Sequence, residues 1–116
     1  MNTILHITER QKWQQAKIFK SYRCSTLNSQ GFIHCSQAAQ VIKVANKLFY
    51  NQHNLVLLFI KTEQVQAEIR YEVAEKNELF PHIYGALNID AVYKIIDFLP
   101  REDGFFDLPL AVVNLK

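Results

Sequence analysis

Three of the four histidines in this chain stand two residues ahead of a hydroxyl: His6 before Thr8, His34 before Ser36 and His82 before Tyr84; only His53 does not. In extended chain, residues two apart point to the same side, so each pair presents an imidazole and a hydroxyl together. An imidazole donates or accepts a hydrogen bond and titrates near neutrality, while a hydroxyl does both without titrating. Three such pairs brought together would suit a polyhydroxylated ligand, a phosphate or a labile proton. The chain has only three glycines, and Gly31 and Gly85 each flank a histidine stretch, where positive φ or close backbone approach is useful. Pro81 stiffens the third stretch.

Each of these residues also has a plainer reading. A lone histidine is more often a satisfied structural group than a catalyst. Cys35 shares a face with Ile33 and reads as core. Glu72 lies on the polar face of its strand and reads as a solvated carboxylate, and Trp13 as helix packing.

The elements that must position these residues follow from hydrophobic period and capping signals. Residues 3–7 form a short apolar strand. Thr8 then reads as an N-cap with Gln11 completing a capping box, which predicts a helix over 9–17. Residues 18–30 read as a polar loop. Residues 31–35 form a second strand, and Ser36 caps a helix over 37–50, where Val41, Val44, Ala45, Leu48 and Phe49 recur on one face. Both caps would place a helix N-terminus, with its unpaired amides, beside a histidine, an arrangement that holds phosphates.

After a turn at 51–54, residues 55–60 are apolar without interruption and predict a central strand covered on both faces. A polar connection over 61–67 includes one helical turn. Residues 68–74 alternate, with Ile69, Tyr71 and Val73 opposite Glu68, Arg70 and Glu72. A turn over 75–79, an extended or looped stretch over 80–85, a helical turn at 88–91 and a strand over 92–99, with a helix as the alternative, come next. The last expected element, after a turn at 100–104, is a strand over 105–113 broken at Pro109. About six strands and two main helices make an α+β domain with a mostly antiparallel, split sheet.

The 116 residues suffice for one domain, 1–116, without disulfide or metal support. A net charge of +2, with no basic cluster, argues against nucleic acid as a partner. The longest apolar run, 55–60, is far short of a membrane span. Met1-Asn2-Thr3 lacks a basic leader region, so Cys24 and Cys35 are expected to be reduced thiols of a cytoplasmic protein.

The motifs Leu5-His6-Ile7-Thr8, Trp13, Gly31-Phe32-Ile33-His34-Cys35-Ser36, Val44-Ala45-Asn46, Phe49-Tyr50, Leu55-Val56-Leu57-Leu58, Glu72, Phe80-Pro81-His82-Ile83-Tyr84-Gly85 and Gly104-Phe105-Phe106-Asp107-Leu108-Pro109 span nearly the whole chain. Together they resemble the bacterial domain-of-unknown-function family DUF952. The resemblance implies an ADP-ribosyltransferase-like fold, a split β-structure whose cleft holds NAD in active members. It further implies that His6 grips the nicotinamide ribose. Ser36 or His34 would line the nicotinamide pocket, and Glu72 would support the ribose as oxocarbenium character develops. His82 is a feature those relatives lack.

Three functions compete. The first is an enzyme acting on NAD or an ADP-ribose-like nucleotide, a transferase or a glycohydrolase. Its catalytic set would be His6, His34, Glu72 and His82, and its ligand-binding set Thr8, Gly31, Ser36, Tyr84 and Gly85. NAD enters as substrate; no cofactor is called for. The second is a non-catalytic nucleotide-binding module using the same cleft. The third is a hydrolytic zinc centre of His6, His34 and His82, with or without Cys35, although no two of these ligands have local metal-binding spacing.

Overall fold

The computed structural model describes residues 2–74 and 76–115. Its centre is a three-stranded antiparallel sheet in the order β1 (Thr3–Glu9), β4 (Leu55–Lys61) and β8 (Val92–Phe98). The uninterrupted apolar run of β4 is explained by its place in the middle. Val56, Leu58 and Ile60 enter one core with Ile4, Trp13, Tyr22, Ile33 and Ile83. Leu55, Leu57 and Phe59 enter a second core on the opposite face with Leu5, Val41, Ala45, Phe98 and Phe106. Period-2 alternation thus feeds two hydrophobic layers from one strand.

A second antiparallel sheet has the order β3 (Ile33–His34), β6 (Leu79–Tyr84) and β5 (Glu68–Val73), and a two-strand ribbon pairs β2 (Ser21–Tyr22) with β7 (Leu87–Asn88). The two main helices are α1 (Arg10–Phe19) and α3 (Val41–Leu48), with shorter turns at α2 (Ser25–Gln30) and α4 (Leu110–Val113). The result is a single α+β domain of several small antiparallel sheets. No helix among the described residues is long and apolar enough to cross a membrane.

Several expectations are corrected. Thr8 is not a cap: it stays in β1, α1 begins at Arg10, and Glu9 occupies the cap position without a side-chain bond. Ser36 is not a cap either. It bridges to Leu5, and α3 starts only at Val41 after a turn, with Gln40 in the cap position and no side-chain cap bond. Helix N-termini are therefore not what these two hydroxyls present. The expected loop over 18–30 contains β2 and α2, whose short lengths leave no periodic signal. No strand forms over 105–113; Pro109 instead precedes the helical turn α4, at whose start a missing N–H is harmless. The turn expected over 75–79 begins at Glu75, which lies outside the described residues; Lys76 and Asn77 after it take positive φ of 49° and 62°.

The link that matters for the site is made by residues 33–36. Ile33 and His34 pair with Ile83 and His82 of β6, and the Cys35 amide donates to the Pro81 carbonyl at 3.0 Å. Ser36 then exchanges both backbone hydrogen bonds with Leu5 of β1, each at 2.8 Å. One short segment therefore stitches the two three-stranded sheets together and fixes all three histidine stretches side by side.

Candidate functional site

Beyond the Leu5–Ser36 bridge, no strand among the described residues covers the outer edge of β1. A cavity of about 470 Å³ opens there. His6, Thr8, His34, Ser36 and His82 all line it. Its walls differ in character. Val44, Leu48 and Phe49 at α3 form an apolar wall with Phe80, while Tyr22, Ser25 and Thr26 add hydroxyls to the histidine side. Lys12, Lys43 and Lys47 also line it, with Glu9 and Glu78 as the acidic members. Lys43 Nζ donates to Glu78 at 2.8 Å and ties α3 to the hairpin that leads into β6. A cavity of this size and mixed lining fits a small organic ligand.

His6 is held from both sides. Its Nδ1 lies 2.5 Å from the His34 carbonyl oxygen, which can only accept, so Nδ1 carries the ring proton. Burial pushes the imidazole pKa down to about 4, the carbonyl contact opposing and the nearby His34 reinforcing that shift. In the neutral ring Nε2 is then an acceptor, 2.8 Å from the Tyr22 hydroxyl. The Tyr22 hydroxyl also hydrogen-bonds Thr8 Oγ1 at 2.8 Å, so one phenol links His6 to Thr8. Burial drives the Tyr22 phenol well above its ordinary range. Tyr22 was not a sequence candidate, because it falls in the segment read as loop. Its signal was local: an aromatic hydroxyl in a polar stretch that had to bury something.

His82 is held differently. The chain alternation places Glu72 on β5 beside His82 on β6, and His82 Nδ1–H donates to Glu72 Oε1 at 2.8 Å. The Tyr84 hydroxyl donates to the same carboxylate oxygen through a very short hydrogen bond. These two bonds, Tyr84 first and His82 second, hold the Glu72 carboxyl below the usual carboxylate range. Tyr84 is held up in turn by the carboxylate, and the Arg70 guanidinium lies over its ring at 4.3 Å. With Nδ1 committed to Glu72, the other nitrogen of His82 is left. Nε2 is buried and has no hydrogen-bond partner. Phe32 stacks on the His82 ring at 4.1 Å and 19°, and the His34 ring meets it edge-on at 5.3 Å.

His34 is exposed, and its Nε2 donates to Gln30 Oε1 at 2.8 Å. Partial burial and the neighbouring His82 lower its pKa. Cys35 is buried, and desolvation raises its thiol pKa, which disfavours the thiolate. Among the described residues no group of three or more histidine, cysteine or acidic side chains is arranged to hold a metal ion. His6 shows why: both of its nitrogens are spent inside the protein.

Not every expected site residue reaches the cavity. Glu72 and Tyr84 stand behind His82 and do not line it. Gly31 closes the left-handed C-cap of α2 at φ 91°. Gly85, at φ 152°, faces the Ala67 Cβ, which a Cβ of its own would approach to 2.9 Å. Both glycines thus have local structural reasons.

A family model described as "Protein of unknown function (DUF952)" matches residues 7–95. The chain belongs to the DUF952 family. The matched segment contains Thr8, Tyr22, His34, Ser36, Glu72, His82 and Tyr84, and it begins one residue after His6. The chain also has structural counterparts. The crystal structure of protein CC0527 from Caulobacter crescentus is similar over 97% of this chain and 99% of that one, at 29% identity and a TM-score of 0.90. The solution structure of CC0527 is similar over 93% of this chain and 94% of that one, at 31% identity and a TM-score of 0.81. No curated protein matches the sequence. The family carries no stated activity, so function has to be argued from the site.

Proposed function

We propose that the cavity binds a nucleotide of the NAD or ADP-ribose type and that His82 acts as general base on it. One observation carries this reading: His82 belongs to the cavity lining, is oriented by the Glu72 carboxylate at 2.8 Å and keeps its second nitrogen buried and unpartnered. A carboxylate bonded to one imidazole nitrogen fixes the tautomer and leaves the other nitrogen to take a proton. A buried acceptor without a partner costs about 1–3 kcal/mol, and a ligand group that fills it recovers that cost.

The remaining lining suits the two ends of a nucleotide. The apolar wall at α3 and Phe80 suits a planar base. The hydroxyls of Thr8, Tyr22 and Ser36 suit a sugar, and the lysines suit phosphates. The resemblance of the His6 and Thr8 stretch to NAD-using enzymes supports the same ligand class, and an ADP-ribosyltransferase-like cleft is part of this proposal. In this reading His6 acts through Tyr22 and Thr8. Glu72 serves through His82 instead of facing the ribose.

Calorimetry with NAD and with ADP-ribose tests the ligand class. The expected result is saturable one-to-one binding that weakens when His82 is replaced by Ala, with the fold kept. No heat and no NMR shift at Thr8, Ser36 or His82 with either nucleotide would rule the ligand class out. A second reading, a nucleotide sensor without catalysis, is favoured by the full internal satisfaction of His6. It predicts the same binding without release of nicotinamide.

A further inference from the structure

We propose that the C-terminal end of α1 docks on an anionic lipid bilayer, with Ile18 and Phe19 entering the lipid and the bases around them meeting its headgroups. This stands apart from the nucleotide reading. The net charge of +2 conceals two unlike halves. Residues 10–62 carry eight lysines and arginines and no acidic residue, whereas ten of the eleven acidic residues lie in 63–116. Within the basic half, Arg10 pairs with Asp97, Lys43 pairs with Glu78, and Lys61 lies over the Tyr93 ring. Lys47 belongs to the cavity lining. The other four, Lys12, Lys17, Lys20 and Arg23, are exposed and have no acidic partner among the described residues. Lys12 and Lys17 stand on α1, Lys20 is its C-cap, and Arg23 follows the two residues of β2.

Apolar side chains stand among these bases. Ile18 and Phe19 are each 77% exposed, and no large apolar side chain among the described residues is more exposed. Lys20 turns left-handed at φ 61° and its amide closes on the Ala16 carbonyl, so the helix stops there. Residues 17–20 are thus four exposed positions in a row, two apolar side chains between two lysines. The negative end of the helix dipole accounts for the lysines. It gives no reason to hold an isoleucine and a phenylalanine in water. An anionic bilayer accounts for both, since apolar side chains reach the acyl boundary while lysine and arginine meet the negative surface potential. A folded protein partner fits less well. A specific interface covers about 800 Å² a side around an apolar centre, and here two side chains are flanked by Gln14, Gln15 and bases. A bilayer needs no matching shape. A nucleic acid would take the bases but offers nothing to Ile18.

The test is flotation of the full chain with vesicles of phosphatidylcholine, alone or with about one-third phosphatidylserine. Binding is expected to the mixed vesicles and not to the neutral ones, and it should weaken steeply as salt rises toward about 1 M. Ile18→Ser with Phe19→Ser should weaken it at least about tenfold. Lys17→Gln, Lys20→Gln and Arg23→Gln together should weaken it about 10²-fold. All of these side chains are exposed, so the circular dichroism and unfolding midpoint should match the parent's. Phe19→Trp reports insertion directly. Its emission should shift to the blue on mixed vesicles and be quenched by brominated acyl chains, against the constant signal of buried Trp13. No binding to mixed vesicles, equal binding to neutral ones, or binding indifferent to the Ile18 and Phe19 pair would overturn the proposal. An RNA oligonucleotide bound more tightly than the mixed vesicles would overturn it too and assign the bases to nucleic acid. ADP-ribose binding should be the same in every variant, so failure here leaves the nucleotide reading untouched.

Discussion

Glu72 and His82 lie ten residues apart in sequence, on neighbouring strands of one sheet, and meet at 2.8 Å with the Tyr84 hydroxyl on the same carboxylate oxygen. The pair sets which nitrogen of His82 holds the proton. If His82 is the base, removing the charge of Glu72 should damage turnover and spare binding. Glu72→Gln keeps an oxygen for the His82 Nδ1–H but loses the carboxylate. We expect nicotinamide release to fall by about 10² or more, within the usual range for general-base catalysis. The dissociation constant for ADP-ribose should change by no more than a few-fold. Steady-state kinetics beside calorimetry on the same variant checks both.

The His6 site predicts a dependence of stability on pH. Its folded pKa, about 4, lies below the ordinary 6.5 of a free histidine. A depressed value means that the unfolded chain binds the proton first, so the contribution of His6 is fully present above about pH 6.5. It is eroded as pH falls from there toward 4. By linkage, about 2 kcal/mol of unfolding free energy should be lost between pH 7.5 and pH 5. The lowered pKa of His34 acts in the same direction. Urea unfolding across that range measures the loss, and it should shrink in His6→Gln.

Tyr22 bridges His6 and Thr8 from a buried position. Tyr22→Phe keeps the ring in the core and removes the hydroxyl. His6 Nε2 and Thr8 Oγ1 then lose their common partner, at a cost of about 1–3 kcal/mol. The denaturation midpoint should drop accordingly with an unchanged m-value.

Gly85 has a structural role and does not line the cavity. An alanine there would bring its Cβ to 2.9 Å from the Ala67 Cβ at a φ of 152°. Gly85→Ala should therefore destabilise the fold by about 1–3 kcal/mol through overpacking and strain. Because Gly85 does not line the cavity, ADP-ribose affinity of the folded variant should stay within a few-fold of the parent. Thermal unfolding and calorimetry report the two effects separately.

What could be read from the residues, and what could not, follows physical lines. The strand over 55–60 was legible because a run of apolar residues has no other soluble home than the middle of a covered sheet. The convergence of His34 and His82 needed the register that sets them opposite each other, which alternation alone does not give. Thr8 and Ser36 looked like caps because a small hydroxyl ahead of a helical pattern usually is one. Here a tertiary partner, Tyr22 for Thr8 and Leu5 for Ser36, took precedence. Tyr22 was invisible as a site residue because β2 is two residues long. Glu72 was found as a candidate but for a direct contact with the ribose; its bond to His82 exists only across β5 and β6.

The most direct test of the central claim is a long-range proton–nitrogen NMR spectrum of the histidine rings, recorded at neutral pH before and after adding ADP-ribose. The account predicts that His82 carries its proton on Nδ1, has an unprotonated Nε2, and that the Nε2 resonance shifts when the nucleotide binds. A proton on Nε2 in the free protein, or a His82 ring unchanged at saturating ADP-ribose, would contradict it.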